Sequence, residues 1–280
     1  MFVRDQAAYI SDTHSLHRYI FVIMIQCVTS LLEKYSIPER TVNQNLAKSI
    51  QKHIKTMNKY NSSRPISKHT LKAYESLRQR PHILDAGCGM GKSTRILAQR
   101  LDPSLQILGV DRSEHRLDAS KDLVPANAKF IRAELADFWL LLHRNQICLD
   151  HTCILYPNPY PKHEHLKRRW HAHPIFPFIL ETTQGLTLRS SWRTYLDEFL
   201  LATHIAANEF HFSPAIRLLS ISHPQVRPFP SPVHQSELSS LDFHPLTHFE
   251  AKYLSVGLPL YELQLGHVPT GLFSHPSSIQ

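Results

Sequence analysis

Five short apolar runs, around Ile83, Ile107, Phe130, Ile154 and Leu186, alternate with longer stretches of helical periodicity at Lys92 to Leu101, Arg112 to Asp122, Leu135 to His143 and Arg193 to Ala207. Strands separated by helices in this rhythm predict an α/β domain with a mostly parallel sheet and helices on both faces. Outside that block the pattern weakens. Tyr19 to Leu32 is apolar but interrupted by Gln26, Thr29 and Ser30, too short and too polar to predict a membrane span. Ser222 to Ser240, rich in Pro, Ser and His, reads as a long loop. The chain therefore divides into a helical extension over 1–75, an α/β domain over 76–265 and a flexible tail over 266–280.

The turn after the first apolar run reads Leu84-Asp85-Ala86-Gly87-Cys88-Gly89-Met90-Gly91. Open α/β sheets bind ligands at such strand-to-helix turns. Gly87, Gly89 and Gly91 can adopt dihedrals closed to other residues and let a ligand approach the backbone. Their GxGxG spacing differs from the GxGxxG dinucleotide fingerprint, and Asp85 would meet a pyrophosphate at close range. A cationic ligand fits better. The protonated amine of S-adenosylmethionine could donate a charge-assisted hydrogen bond to Asp85. Asp111 ends the second run about twenty residues past the glycines, where an acid commonly grips ribose hydroxyls. Glu134 closes the third run, with Asp137 as its competitor. A helix-capping role for Asp85 or Glu134 is the competing expectation.

After the fourth run comes Tyr156-Pro157-Asn158-Pro159-Tyr160-Pro161-Lys162, then Lys167-Arg168-Arg169. The chain resembles the tRNA (guanine-N(7)-)-methyltransferase family from about Pro81 to Leu265. That family writes PDPWPK before a basic KRR stretch, T-D-W after its fifth strand and T-x-F-E later. The counterparts here are Pro157 to Lys162, Lys167 to Arg169, Ser190-Ser191-Trp192 and Thr247-His248-Phe249-Glu250.

The resemblance implies a Rossmann-like class I S-adenosylmethionine methyltransferase fold, with the basic helical extension added in front. It implies that Asp85, Gly87, Gly89, Gly91, Asp111 and Glu134 bind the cofactor and that Asn158 is the catalytic-position residue. It further implies that Tyr160, Lys162, Lys167, Arg168, Arg169, Ser191, Thr247, Phe249 and Glu250 contact substrate. The closing segment, Phe249 to Leu265, would supply antiparallel edge strands. Two departures bear on specificity: Asn158 and Ser191 stand where the family has Asp. The ring nitrogen of guanine has an in-plane lone pair and no proton, so methyl transfer to it needs orientation more than a base. Asn158 keeps an acceptor oxygen and gains two donors, whereas Ser191 cannot accept a pair of hydrogen bonds as a carboxylate does. Two alternatives stay open. Asn-Pro with an aromatic close behind is similar to the motif of amino methyltransferases, which act on adenine, cytosine or glutamine nitrogens. An RNA-binding protein that has lost turnover is the other.

Charge agrees with a polyanionic partner, expected to be tRNA. The chain of 280 residues carries a net charge of +8, and between Glu33 and Arg80 there are eleven Lys or Arg against three Glu. Such a segment could track phosphates, or be a solvated helical face. Cys27, Cys88, Cys148 and Cys153 show no CxxC spacing, which favours the reducing cytoplasm. Cys88 is expected to pack, not to act as a nucleophile. The pairs His163-x-His165 and His171-x-His173 lack the Cys or carboxylate that would complete a zinc pattern, so no metal site is expected. A cytoplasmic monomer without a membrane segment is the overall expectation.

Overall fold

The computed structural model describes residues 41–118, 124–220, 224–230 and 245–272. The apolar stretch Tyr19 to Leu32 lies outside them, as does most of Ser222 to Ser240. Each expected strand is present: β1 Ile83–Ala86, β2 Ile107–Asp111, β3 Ala128–Arg132, β4 His151–Leu155 and β5 Gly185–Ser190. With the short β6 Arg227–Phe229 and β7 Leu260–Gly266 they form a seven-stranded sheet in the order β3-β2-β1-β4-β5-β7-β6. The first five strands are parallel, and β7 runs antiparallel to both β5 and β6. Strands β1, β2, β4 and β5 are buried along their whole length, as continuous apolar runs covered on both faces should be. The strand order reverses between β1 and β4, and the crevice at their carboxyl ends is where such sheets hold ligands.

Ten α-helices are described: α1 Leu46–Lys55, α2 Met57–Ser63, α3 Lys68–Glu75, α4 Lys92–Arg100, α5 Glu114–Asp118, α6 Leu135–Arg144, α7 Phe176–Glu181, α8 Arg193–Phe210, α9 Ser213–Ser220 and α10 His248–Ser255. Two short 3-10 turns cover His163–Arg168 and Trp170–Ala172. Phe138, Trp139, Phe176, Phe178 and Phe199 are fully buried. No helix among the described residues is long and apolar enough to cross a membrane.

Three expectations change. The T-x-F-E segment opens α10 instead of a strand: the Thr247 hydroxyl accepts the Glu250 N–H at 3.0 Å, the arrangement of an N-terminal helix cap. The closing antiparallel edge is β7 with β6, and β6 comes from the Pro-rich segment read as loop. The start of the expected tail is packed: Leu272 is wholly buried against Ile83, Leu97 and Leu155, with Val268 beside it.

The basic extension also has an apolar side where it is described. Leu46, Ile50 and His53 recur at helical spacing and are buried, while Lys48, Lys52 and Lys55 are exposed. Asp137 ties the next segment down. Its carboxylate accepts the Arg64 guanidinium at 3.0 Å and the Ser67 N–H at 3.0 Å. Burial alone would raise the Asp137 carboxyl, but Ser67 and Arg64 outweigh it and hold it below its ordinary value. Asp137→Asn should therefore cost about 1.5–3 kcal/mol at neutral pH, the worth of hydrogen bonds to a charged group. The sign with pH follows from the depressed value: the carboxylate's contribution is present above its unfolded pKa and is lost as pH falls through the folded one. Urea melts of parent and variant should differ by a constant amount above about pH 5 and converge below about pH 4.

Candidate cofactor and substrate site

The turn between β1 and α4 is built on left-handed backbone at Gly87 (φ +82°), Gly89 (φ +58°) and Gly91 (φ +73°). The N–H groups of Gly87 and Cys88 both donate to the Val110 carbonyl, at 2.8 and 3.1 Å, and so pin the loop to β2. A Cβ added at Gly87 or Gly89 would meet nothing within 4 Å. Backbone conformation is thus what calls for glycine there, and the loop faces open space that a ligand can fill. The Cys88 thiol is buried, and burial, with Asp85 and Asp111 nearby, pushes it well above its ordinary range. This is a packing residue, not a nucleophile.

Asp85 lies at the carboxyl end of β1 and is 1% exposed. One oxygen, Oδ2, accepts the hydroxyls of Ser93 and Thr94, both at 2.6 Å. Burial raises its pKa despite those donors, and Asp111 pushes it the same way. A buried carboxylate beside another calls for a positive group. Asp111 braces the loop: its Oδ2 accepts the Gly89 N–H at 3.0 Å, its Oδ1 accepts the Ser113 N–H at 2.8 Å, and Arg116 approaches to 3.6 Å. Glu134 is the residue preceding α6, and its side chain makes no capping bond. Asp137, the competitor, is spent on Arg64 and Ser67.

A cleft of about 200 Å³ opens above this loop. Asp85, the glycine loop and Lys92 line one side, Leu155 and Tyr156 the end of β4, and Thr247, His248 and Phe249 the far wall. Two sequence segments separated by more than half the chain thus meet at one site. Tyr156 has left-handed backbone (φ +55°), and its ring packs, tilted by 32°, 4.7 Å from that of Phe249, which stacks at 4.1 Å on Tyr253. Sequence reasoning gave no role to Tyr156 or Lys92, both of which line the cleft.

Beyond Tyr156 the chain leaves the sheet as a ledge over Pro157 to Lys162. Asn158 is exposed, and its Oδ1 accepts the N–H of Tyr160 at 3.3 Å. Tyr160 is itself left-handed (φ +45°), with the Arg168 guanidinium 5.7 Å from its ring centre. Lys162, Lys167 and Arg168 are exposed. Ser191 is half-buried just past β5. Two of the expected substrate contacts are placed differently. Arg169 is 3% exposed and donates to Glu198 at 2.5 Å, so it faces the interior because its charge is paired there. Glu250 is fully buried. Its Oε1 accepts the Tyr156 hydroxyl at 2.9 Å and Arg189 at 2.8 Å, and its Oε2 accepts the Leu246 N–H at 2.6 Å. That carboxylate supports the cleft wall from behind and does not present itself to a substrate.

The residues present fit S-adenosylmethionine. A buried carboxylate stands ready for its amine, a glycine loop leaves room for close approach, and a second acid ends the neighbouring strand. Comparison with known proteins agrees. Residues 79–210 match the family model described as "Putative methyltransferase". The tRNA (guanine-N(7)-)-methyltransferase of Nitrosospira multiformis is 24% identical over 194 residues, covering 66% of this chain and 74% of that protein. The trans-aconitate 2-methyltransferase of Paracidovorax citrulli is 38% identical over 68 residues, 24% of this chain. The chain spans only 25% of that relative's length. Among solved structures, an antibiotic-related methyltransferase aligns with a TM-score of 0.44 at 17% identity, covering 73% of this chain and 97% of its own. The family match, the sheet order and the cofactor loop converge: residues 79–210 are similar to that methyltransferase family, and the chain is a Rossmann-like, class I, S-adenosylmethionine-dependent methyltransferase.

Proposed function

We propose that the chain methylates RNA, with the N7 nitrogen of a guanine in tRNA as the acceptor. The carrying observation is the ledge Pro157 to Lys162, which leaves β4 directly beside the cofactor cleft and is flanked by exposed Lys162, Lys167 and Arg168. The exposed Lys48, Lys52 and Lys55 of α1 extend the positive surface. The likeness to the Nitrosospira enzyme over 194 residues supports the same reading.

When bound, S-adenosylmethionine supplies a sulfonium methyl. Asp85 orients its amine, the glycine loop leaves room for its close approach, and the aromatic wall of Tyr156 and Phe249 excludes water from one side of the cleft. Asn158 positions the base edge. Because the guanine nitrogen offers an in-plane lone pair and carries no proton, Asn158 would need only to align it with the methyl group, and no residue would have to act as a base. Glu134 and Asp111 are assigned to the cofactor side, and Ser191 with Thr247 to the substrate side. The cytoplasm is the expected compartment and a monomer the expected state.

The deciding experiment incubates total tRNA with the protein and methyl-labelled cofactor and identifies nucleosides by mass spectrometry. Recovery of 7-methylguanosine supports the proposal, and methyladenine or methylcytosine replaces it with the amino-methyltransferase reading. Asn158→Ala should lower kcat by at least about tenfold with cofactor affinity unchanged, because the interaction it removes belongs to the transition-state arrangement. Asn158→Asp, which keeps the shape and the acceptor, should retain activity.

Charge removal gives a second test. Replacing Lys48, Lys52 and Lys55 with Gln should weaken tRNA binding and reduce the slope of log affinity against log salt by up to about 0.7–0.9 for each phosphate these lysines neutralise. An unchanged slope would show α1's outer face to be merely solvated.

A further inference from the structure

Of the three basic residues after the ledge, Lys167 and Arg168 face solvent while Arg169 turns inward. Its guanidinium reaches back to the ledge. Nε and Nη2 donate to the Tyr160 carbonyl at 3.2 and 3.1 Å, and Nη2 also approaches the carbonyls of Pro161 at 3.3 Å and Lys162 at 3.5 Å. On the other side it sits 4.8 Å from the ring centre of Trp192, which follows Ser191 at the end of β5. Nη1 is held at 2.5 Å by Glu198 of α8. Glu198 is 0% exposed, and its two oxygens also take the Asn43 N–H at 2.8 Å and His171 Nε2 at 2.9 Å. Burial would raise the Glu198 carboxyl, but His171, Asn43 and Arg169 outweigh it and hold the carboxyl below its ordinary value.

We infer that Arg169, locked by Glu198, is the positioning residue of the substrate ledge. It fixes the ledge to the end of β5 and makes no contact with RNA phosphate. Tyr160 shows why such a device is needed. A non-glycine residue in the left-handed region is costly and persists only where its surroundings over-determine it. Here the Tyr160 N–H is held by Asn158 Oδ1 and its carbonyl by Arg169. A planar, five-donor guanidinium can serve several carbonyls, a carboxylate and an aromatic face together, and a lysine ammonium cannot. Arg169 thereby sets the orientation of Asn158, two residues before the carbonyl it grips. This inference rests on the proposed RNA-methylating role for its kinetic half only.

The test uses the full chain with Arg169→Lys, and Glu198→Gln as the second variant should the first fail to fold. Hydrogen–deuterium exchange should rise by about tenfold or more over 157–168 while 84–91 is unchanged, since only the local opening of the ledge is affected. On total tRNA, kcat should fall by about tenfold or more with KM within about twofold, the mark of impaired transition-state alignment. Arg168→Ala supplies the contrast: removing a phosphate contact raises KM and lowers the salt slope. Unchanged exchange over the ledge overturns the inference, as does a variant that raises KM and lowers the salt slope at constant kcat. If exchange rises as expected but the parent protein makes no product on tRNA, the positioning role stands and the RNA reading fails.

Discussion

Replacing Arg189 with Met should destabilise the protein by about 3–5 kcal/mol, the cost of removing one partner from a buried ion cluster. Arg189 is 1% exposed, one residue before the end of β5. It pairs at 2.8 Å with Glu250 and at 2.8 Å with Glu262, both buried. Burial alone would lower the guanidinium's pKa, and the two carboxylates raise it instead. Arg227 supports Glu262 at 2.7 Å from its exposed side. Without Arg189, Glu250 keeps the Tyr156 hydroxyl and the Leu246 N–H but loses the cation that pairs with it at 2.8 Å. Denaturant melts would measure the loss. Adding Glu250→Gln to Arg189→Met should recover part of it, because the orphaned charge is then gone. A double variant no better than the single one would show that packing, not charge, holds this corner. Loss of the cluster should also loosen the cleft wall, since Tyr156 and Phe249 stand directly on Glu250 and α10.

The second large effect is on cofactor binding. Asp85→Asn should weaken S-adenosylmethionine affinity by about 10- to 100-fold, the worth of about 1.5–3 kcal/mol for a hydrogen bond to a charged group. Asn is the informative replacement because its carbonyl oxygen can still accept from Ser93 and Thr94, so the start of α4 is preserved. Asp85→Ala would mix this loss with two stranded hydroxyls. Calorimetry on the folded variant separates binding from stability, and unchanged affinity would sink the assignment of Asp85 to the amine. Since burial raises the Asp85 carboxyl, acid should weaken cofactor binding to the parent protein at a higher pH than for an ordinary carboxylate, while Asp85→Asn should lack that dependence.

The parallel part of the sheet was legible because β1, β2, β4 and β5 are buried along their length and are therefore centred on short apolar runs. The glycine loop was legible because left-handed backbone leaves few residues to choose from. The T-x-F-E segment misled. The spacing of Thr247 and Glu250 carried a helix-start signal, but the family resemblance, which implied edge strands from Phe249 onward, concealed it. Arg189 held a second unread signal: a lone Arg inside an apolar strand must find buried partners. Those partners, Glu250 and Glu262, lie more than sixty residues on, and no local pattern connects them. Arg169 was grouped with Lys167 and Arg168 because adjacency in sequence says nothing of which way a 3-10 turn points each side chain.

Leu272 closes the apolar cluster that contains Ile83 at the start of β1 and Leu155 at the end of β4. During synthesis, then, the first strand of the sheet waits for the arrival of nearly two hundred further residues before its underside is sealed. Contacts so distant along the chain are slow to form and leave apolar surface open to aggregation in the interval. The nascent domain should accordingly depend on chaperone protection until residue 272 has left the ribosome, and chains stopped short of it should accumulate in inclusion bodies.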